Sequence, residues 1–282
     1  MNLTNKIKVV TKECRDELPD IQENTFSILD ELKAGESLQG PQFIIIKPNY
    51  VIAEHYSKGN TTNPKVLEAI IQYIKQYNDN ARIAIGEGGF TSDTGKAFKV
   101  NLLPEICRKL EIDLINFNRE EKREIVIQEA RALKGKVAVA RSSVECDLLI
   151  SVPSLKTHSL ATTTLSMKNI MGVLSRKSIM HSRIHQKIVD LFSHFLEKLP
   201  FAIIDGIIGS DGYECGGTPV QHDILLGSKD LVALDTAGTM AMGIEPGTVG
   251  YLNNAMKRGL GECRASNIHF SGVHPRSKAI SY

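Results

Sequence analysis

Short, continuous apolar runs rich in β-branched residues recur along this chain, each followed by a segment with helical periodicity. That alternation constrains the fold more than any other feature. FIIIK (43–47), RIAIG (82–86), CDLLISV (146–152), FAIIDG (201–206) and DILLG (223–227) read as strands, with DLINF and KVAVA as weaker ones. They lack the polar/apolar alternation of a strand with one wet face, so they belong in a sheet covered on both sides. In NPKVLEAIIQYIKQY (63–77), Val66, Ile70, Ile74 and Tyr77 share one helical face. Thr62 or Asn63 can cap that helix, and Pro64 suits its first position. AFKVNLLPEICRKL (97–110) reads as helical with Pro104 as an interruption, and a helical region is expected directly after residue 152. IHQKIVDLFSHFLEKL (184–199) is amphipathic, while the helices in 230–243 and 248–259 end at Gly243 and Gly259. The expected fold is α/β, Rossmann-like, with a mostly parallel sheet between two layers of helices. At 282 residues and 42% hydrophobic, the chain can form a single domain over 1–282. A division into two lobes near residue 200 is the alternative.

Charge and cysteine usage narrow the function. The 34 basic and 32 acidic residues nearly cancel, which gives no reason to expect nucleic acid or an anionic membrane as partner. No apolar run reaches transmembrane length, and MNLTNKIKVV lacks a signal-peptide core, so a cytoplasmic location is expected. Cys14, Cys107, Cys146, Cys215 and Cys263 are far apart and form no CxxC pair. Neither a disulfide framework, a zinc ribbon nor an iron–sulfur cluster is expected. The sequence says nothing of oligomeric state.

In an open parallel sheet the ligand crevice lies outside the carboxyl ends of the strands. The residues there are Lys47 and Asn49 after FIII, Glu87 and Gly88 after RIAIG, and Lys156 and His158 after LLISVP. Asp205 follows FAII, and Asp235 lies in the helix after DILLG. Lys168 and Asn169 complete the dense stretch SVPSLKTHSLATTTLSMKNIMG (151–172). Turns favour Gly, Asn and Asp on structural grounds, so any one of these can be a plain turn; lysine and histidine have no such excuse. His158, Lys156, Lys168 and Asp205 are therefore the candidate catalytic residues. Lys47, Asn49, Glu87, Gly88, Asn169 and Asp235 are the candidate ligand contacts. A histidine titrates near neutrality and suits proton transfer, and lysines suit a carboxylate, a phosphate or a developing negative charge. GEGGF (86–90) matches neither GxGxxG nor a Walker loop, and GYECGG (212–217) reads as a flexible loop. In RKSIMHSRIHQK (176–187), His181 and His185 are four apart and would share a helical face. With His158 they are candidate ligands for a divalent transition metal. Arg176, Lys177, Arg183 and Lys187 around them suit a carboxylate or a phosphate equally well.

IIIKPNYV, TTNPKVLEAII, AIGEGG, DLLISVPSLKTHSLATTTLSMKNIMG, IIDGIIGSDG and GSKDLVALDTAGTMAMG occur in this order. Over residues 43–261 the chain thereby resembles the family of unknown function called DUF362. Many members of that family carry an added ferredoxin segment, whose cysteines this chain lacks. A second similarity is to the nickel-pincer lactate racemases. In them a histidine is followed by a serine, by a cofactor-bearing lysine ten residues after the histidine, and by a glycine. His158, Ser166, Lys168 and Gly172 are similar in order, but Leu165 and Met167 replace the glycines beside that serine. This resemblance implies a shared architecture, with His181 or His185 completing a metal site. The expectation is an enzyme acting on a small anionic metabolite by isomerisation or proton abstraction, with a metal as candidate assistant. The alternative is a non-catalytic module that binds a phosphorylated ligand or cofactor.

Overall fold

The computed structural model describes residues 6–90 and 93–282. Its strands are β1 (Ile7–Glu13), β2 (Phe43–Pro48), β3 (Arg82–Glu87), β4 (Asp113–Asn116), β5 (Lys122–Val126), β6 (Lys136–Ala140), β7 (Leu148–Val152), β8 (Ser154–His158), β9 (Thr162–Thr164), β10 (Ala202–Asp211), β11 (Thr218–Ser228) and β12 (Ile268–Gly272). Ten of them form one sheet ordered β12-β1-β11-β10-β7-β2-β3-β4, with β8 pairing β10 and β9 pairing β8. The run from β10 through β7, β2 and β3 to β4 is parallel, as are β1–β12 and β8–β10. The β1–β11, β10–β11 and β8–β9 pairs are antiparallel.

The two-sided burial expected from the apolar runs is present. Successive side chains of a strand point to opposite faces. Ile44 and Ile46 accordingly enter one core with helices Leu18–Glu31 and Pro64–Tyr77. Ile45, between them, enters the other core with helices Ile184–Phe195, Leu231–Ala241 and Gly250–Lys257. Asn63 caps its helix by accepting from Lys65 N at 3.1 Å, and Gly243 and Gly259 take φ of 70° and 69° just beyond theirs. Among the described residues no helix is long and apolar enough to cross a membrane.

Four local expectations need correction. The 97–110 segment is two short helices, Thr94–Val100 and Leu103–Lys109, parted at Leu102, which is left-handed at φ 56°. Pro104 sits in the first turn of the second helix, where its missing N–H costs nothing. KVAVA leaves the main sheet and pairs with β5 in a separate two-stranded one. The helix expected straight after β7 is preceded by the β8–β9 hairpin, so only Ser166–Asn169 is α-helical there. DILLG is part of β11, which runs antiparallel to β10.

Candidate functional site

The carboxyl ends of β2 and β3 and the hairpin after β7 converge on a cavity of about 170 Å³. Lys47, at the end of β2, is fully buried, and its ammonium donates to Glu87 Oε2 at 2.8 Å, the Pro48 carbonyl at 2.8 Å and Asn169 Oδ1 at 3.0 Å. Burial lowers the Lys47 pKa, and the Glu87 carboxylate opposes that drop. Glu87 also accepts from Tyr50 N and Gly88 N. The glutamate in the glycine string is thus the partner of a buried cation. Gly88 and Gly172 line the same wall, where a Cβ on Gly172 would strike both Lys47 and Glu87.

The short helix Ser166–Asn169 carries Lys168 and Asn169 into this cluster. Asp235, from helix Leu231–Ala241, holds its first turn by accepting from Ser166 N at 2.7 Å, Ser166 Oγ at 2.5 Å and Met167 N at 3.0 Å. Asn169 Nδ2 donates to the Lys47 carbonyl and Ser151 Oγ, so its Oδ1 is left to accept from Lys47 and Asn49. Lys168 differs from its neighbours. It lines the cavity at 8% exposure, and no hydrogen-bond acceptor reaches its ammonium among the described residues. Burial first, then the adjacent Lys156, bring its pKa down to about 7. Burial likewise lowers Lys156 to about 8, although that ammonium donates to the Asn60 and Glu214 carbonyls.

His158 closes the hairpin end of the cavity. Its Nδ1 accepts from Leu160 N at 3.0 Å and Ala161 N at 3.2 Å. A nitrogen that accepts two N–H bonds bears the lone pair, so the ring proton is on Nε2, 3.5 Å from Glu214 Oε1. Burial, helped by Lys168, lowers the His158 pKa to about 3. The expectation of a histidine titrating near neutrality is therefore corrected: this ring is a neutral donor. Burial works to raise the Glu214 carboxyl, but backbone N–H groups, His158 and Ser159 leave it below its usual value. The GYECGG segment, expected to be only a flexible loop, thus puts Glu214 and Cys215 into the wall.

Of the sequence candidates, Lys47, Asn49, Glu87, Gly88, His158, Lys168, Asn169 and His181 line the cavity. Lys156 stands behind the wall. Asp205 and Asp235 do not reach it. Asp205 is spent on Asn63 N at 2.7 Å and Ile207 N at 3.2 Å, and brackets the start of helix Pro64–Tyr77. Burial raises both carboxyls to about 7. Phe90, Glu214 and Cys215 line the cavity and were not among the candidates, and Lys177, expected as one of the anion-holding basic residues of 176–187, lines it too. For Lys177 the signal was there in the basic 176–187 run. Burial lowers its pKa to about 8, and it donates to Asn118 Oδ1 at 2.5 Å.

The expected metal set does not assemble. His185 lies outside the cavity wall, its ring stacked on Tyr251 at 6.3 Å between centroids. Among the described residues no three His, Cys, Asp or Glu side chains gather to hold a metal ion. His158 also has the wrong tautomer for a ligand, with its lone pair turned to the backbone and a proton on the cavity-side nitrogen. These donors do not fit a three-histidine metal site or the metal of a pincer cofactor.

The model of the family described as Domain of unknown function (DUF362) matches residues 44–240. A thylakoid-associated protein of Synechocystis, sll1697, is 24% identical over 248 residues, which cover 84% of this chain and 74% of that one. Among solved structures, the lactate racemase apoprotein from Thermoanaerobacterium thermosaccharolyticum is similar with a TM-score of 0.53 and 14% identity, over 86% of this chain. This chain covers 59% of the racemase, about three-fifths of its length, and the likeness is one of fold.

Proposed function

We propose that this chain, which belongs to the DUF362 family, is an isomerase-type enzyme that moves a proton beside the carbonyl of a small anionic metabolite. Lys168 carries the reading: a buried amine facing a cavity, without an acceptor, and brought by burial and Lys156 to a pKa of about 7. A base poised near the working pH is what such a transfer needs. The neutral Lys168 amine takes the proton from the carbon next to the carbonyl. The Nε2–H of His158 hydrogen-bonds the oxygen on which charge develops, and the positive charge of Lys177 holds the substrate's carboxylate. Return of the proton to another face or carbon gives the isomer, with no net redox change. The fold shared with a lactate racemase supports this class of chemistry by analogy.

The test is solvent exchange. With pyruvate and its longer 2-oxo homologues as probes, the protein in D₂O should wash out the protons beside the carbonyl, followed by proton NMR. Lys168→Met keeps the side-chain length and removes the amine, and should slow exchange by about 100-fold or more. Equal exchange by wild type and Lys168→Met would sink the assignment.

A further inference from the structure

Of the basic segment after Leu174, the chemistry above uses only Lys177. Gly89, Phe90, Asn118, Ser175, Arg176, Lys177 and Ser178 line a second depression of about 340 Å³. It adjoins the first cavity, because Phe90 and Lys177 belong to both walls. Among the described residues the exposed Arg176 guanidinium has no acidic partner, so its donors are free to meet an anion in the depression. The hydroxyls of Ser175 and Ser178 flank it and are likewise exposed. A guanidinium fork, an ammonium and two hydroxyls, with no carboxylate on the wall, form a cationic surface rich in donors. A phosphate, with two charges and three terminal oxygens, can engage more of these separate donors at once than a single carboxylate.

We infer that this depression is a phosphoryl subsite, and that the substrate is a phosphorylated metabolite whose anionic carbonyl end enters the inner cavity while its phosphate rests on Arg176, Lys177, Ser175 and Ser178. The inference rests on the function proposed above and adds the substrate class. Lys177, on the shared wall, meets both ends of the ligand. Phe90, 59% exposed, lines both depressions beside it.

The experiment is calorimetric titration of the whole chain with glycerate and with 3-phosphoglycerate, at fixed ionic strength. The expected result is an affinity for 3-phosphoglycerate about tenfold or more above that for glycerate, with the ratio collapsing towards one in Arg176→Ala. Arg176 is exposed, so this substitution leaves no cavity in the fold. Ser175→Ala with Ser178→Ala should lower the same ratio by a smaller factor. A ratio near one in the wild type, or a high ratio that survives Arg176→Ala, overturns the subsite and leaves the inner-cavity reading standing. Absence of binding by both ligands, together with absence of 2-oxo acid exchange, overturns both.

Discussion

At the scale of single residues, the site inverts the roles that composition suggests. The histidine holds its proton and three lysines are the groups near neutrality. His158 is fixed by two backbone N–H groups from its own turn, a contact too local to be visible without knowing that Leu160 and Ala161 close a hairpin. The low pKa values of Lys156 and Lys168 come from burial first, with repulsion from Lys156 adding to it at Lys168. Burial of a lysine is what a sequence reader expects least. Lys168 must be neutral to accept a proton and Lys177 charged to hold the carboxylate, so kcat/KM should rise with pH through about 7 and fall again above about 8. A bound anion stabilises the charged lysine, so the acid limb in kcat should lie at higher pH than the limb in kcat/KM. Paired pH profiles of the exchange reaction check both statements; a limb that falls with rising pH near 7 contradicts the assignment. The cluster of Lys47, Asn49, Glu87, His158, Lys168 and Asn169 was legible because each follows a strand or the hairpin. Glu214 and Cys215 were not, because they reach His158 and Lys156 across more than fifty residues of chain.

At the scale of elements, the decisive piece is the four-residue helix Ser166–Asn169. So short a helix has no stability of its own. It is held from outside by Asp235, whose carboxylate meets two consecutive backbone N–H groups and the Ser166 hydroxyl. A sequence reading put Asp235 at the ligand, since it follows a strand; the physical need it meets is that of orphan helix donors. Asp235→Ala leaves buried donors unmade, and each costs about 1–3 kcal/mol. The expected outcome is a melting temperature lowered by several degrees, and exchange activity that falls even where the protein is folded, since Lys168 and Asn169 ride on this turn. Circular dichroism melts beside NMR exchange rates separate the two effects. Unchanged melting and unchanged activity would contradict the bracing role. The same scale explains what strand-and-helix patterning missed: TTT (162–164) is too short to show a period, so the hairpin that carries Lys156 and His158 was hidden inside an expected helix.

At the scale of the molecule, the sheet was the most legible feature, because uninterrupted Ile and Leu runs have few other uses than a strand buried on both faces. Its edges were less so: β1 and β12 carry only partly buried runs, and the pairing that joins them to β11 links the two ends of the chain. Two buried carboxylates brace helix starts, Asp235 that of Ser166–Asn169 and Asp205 that of Pro64–Tyr77. Burial raises both from the ordinary aspartate value to about 7. A carboxyl raised in the folded state contributes most below its unfolded pKa, and the contribution is lost as pH rises through the folded value. Between about pH 4 and pH 7 these two groups therefore withdraw stability as pH increases. Asp205→Asn should lower the melting temperature at pH 5, where the amide nitrogen faces a backbone donor that the acid oxygen accepted. At pH 9 the wild type bears a buried charge and the variant does not, so the gap between the two should narrow. Melts of both proteins at the two pH values decide it: a gap that widens from pH 5 to pH 9 would mean that Asp205 is ionised throughout and that its two backbone donors outweigh its burial.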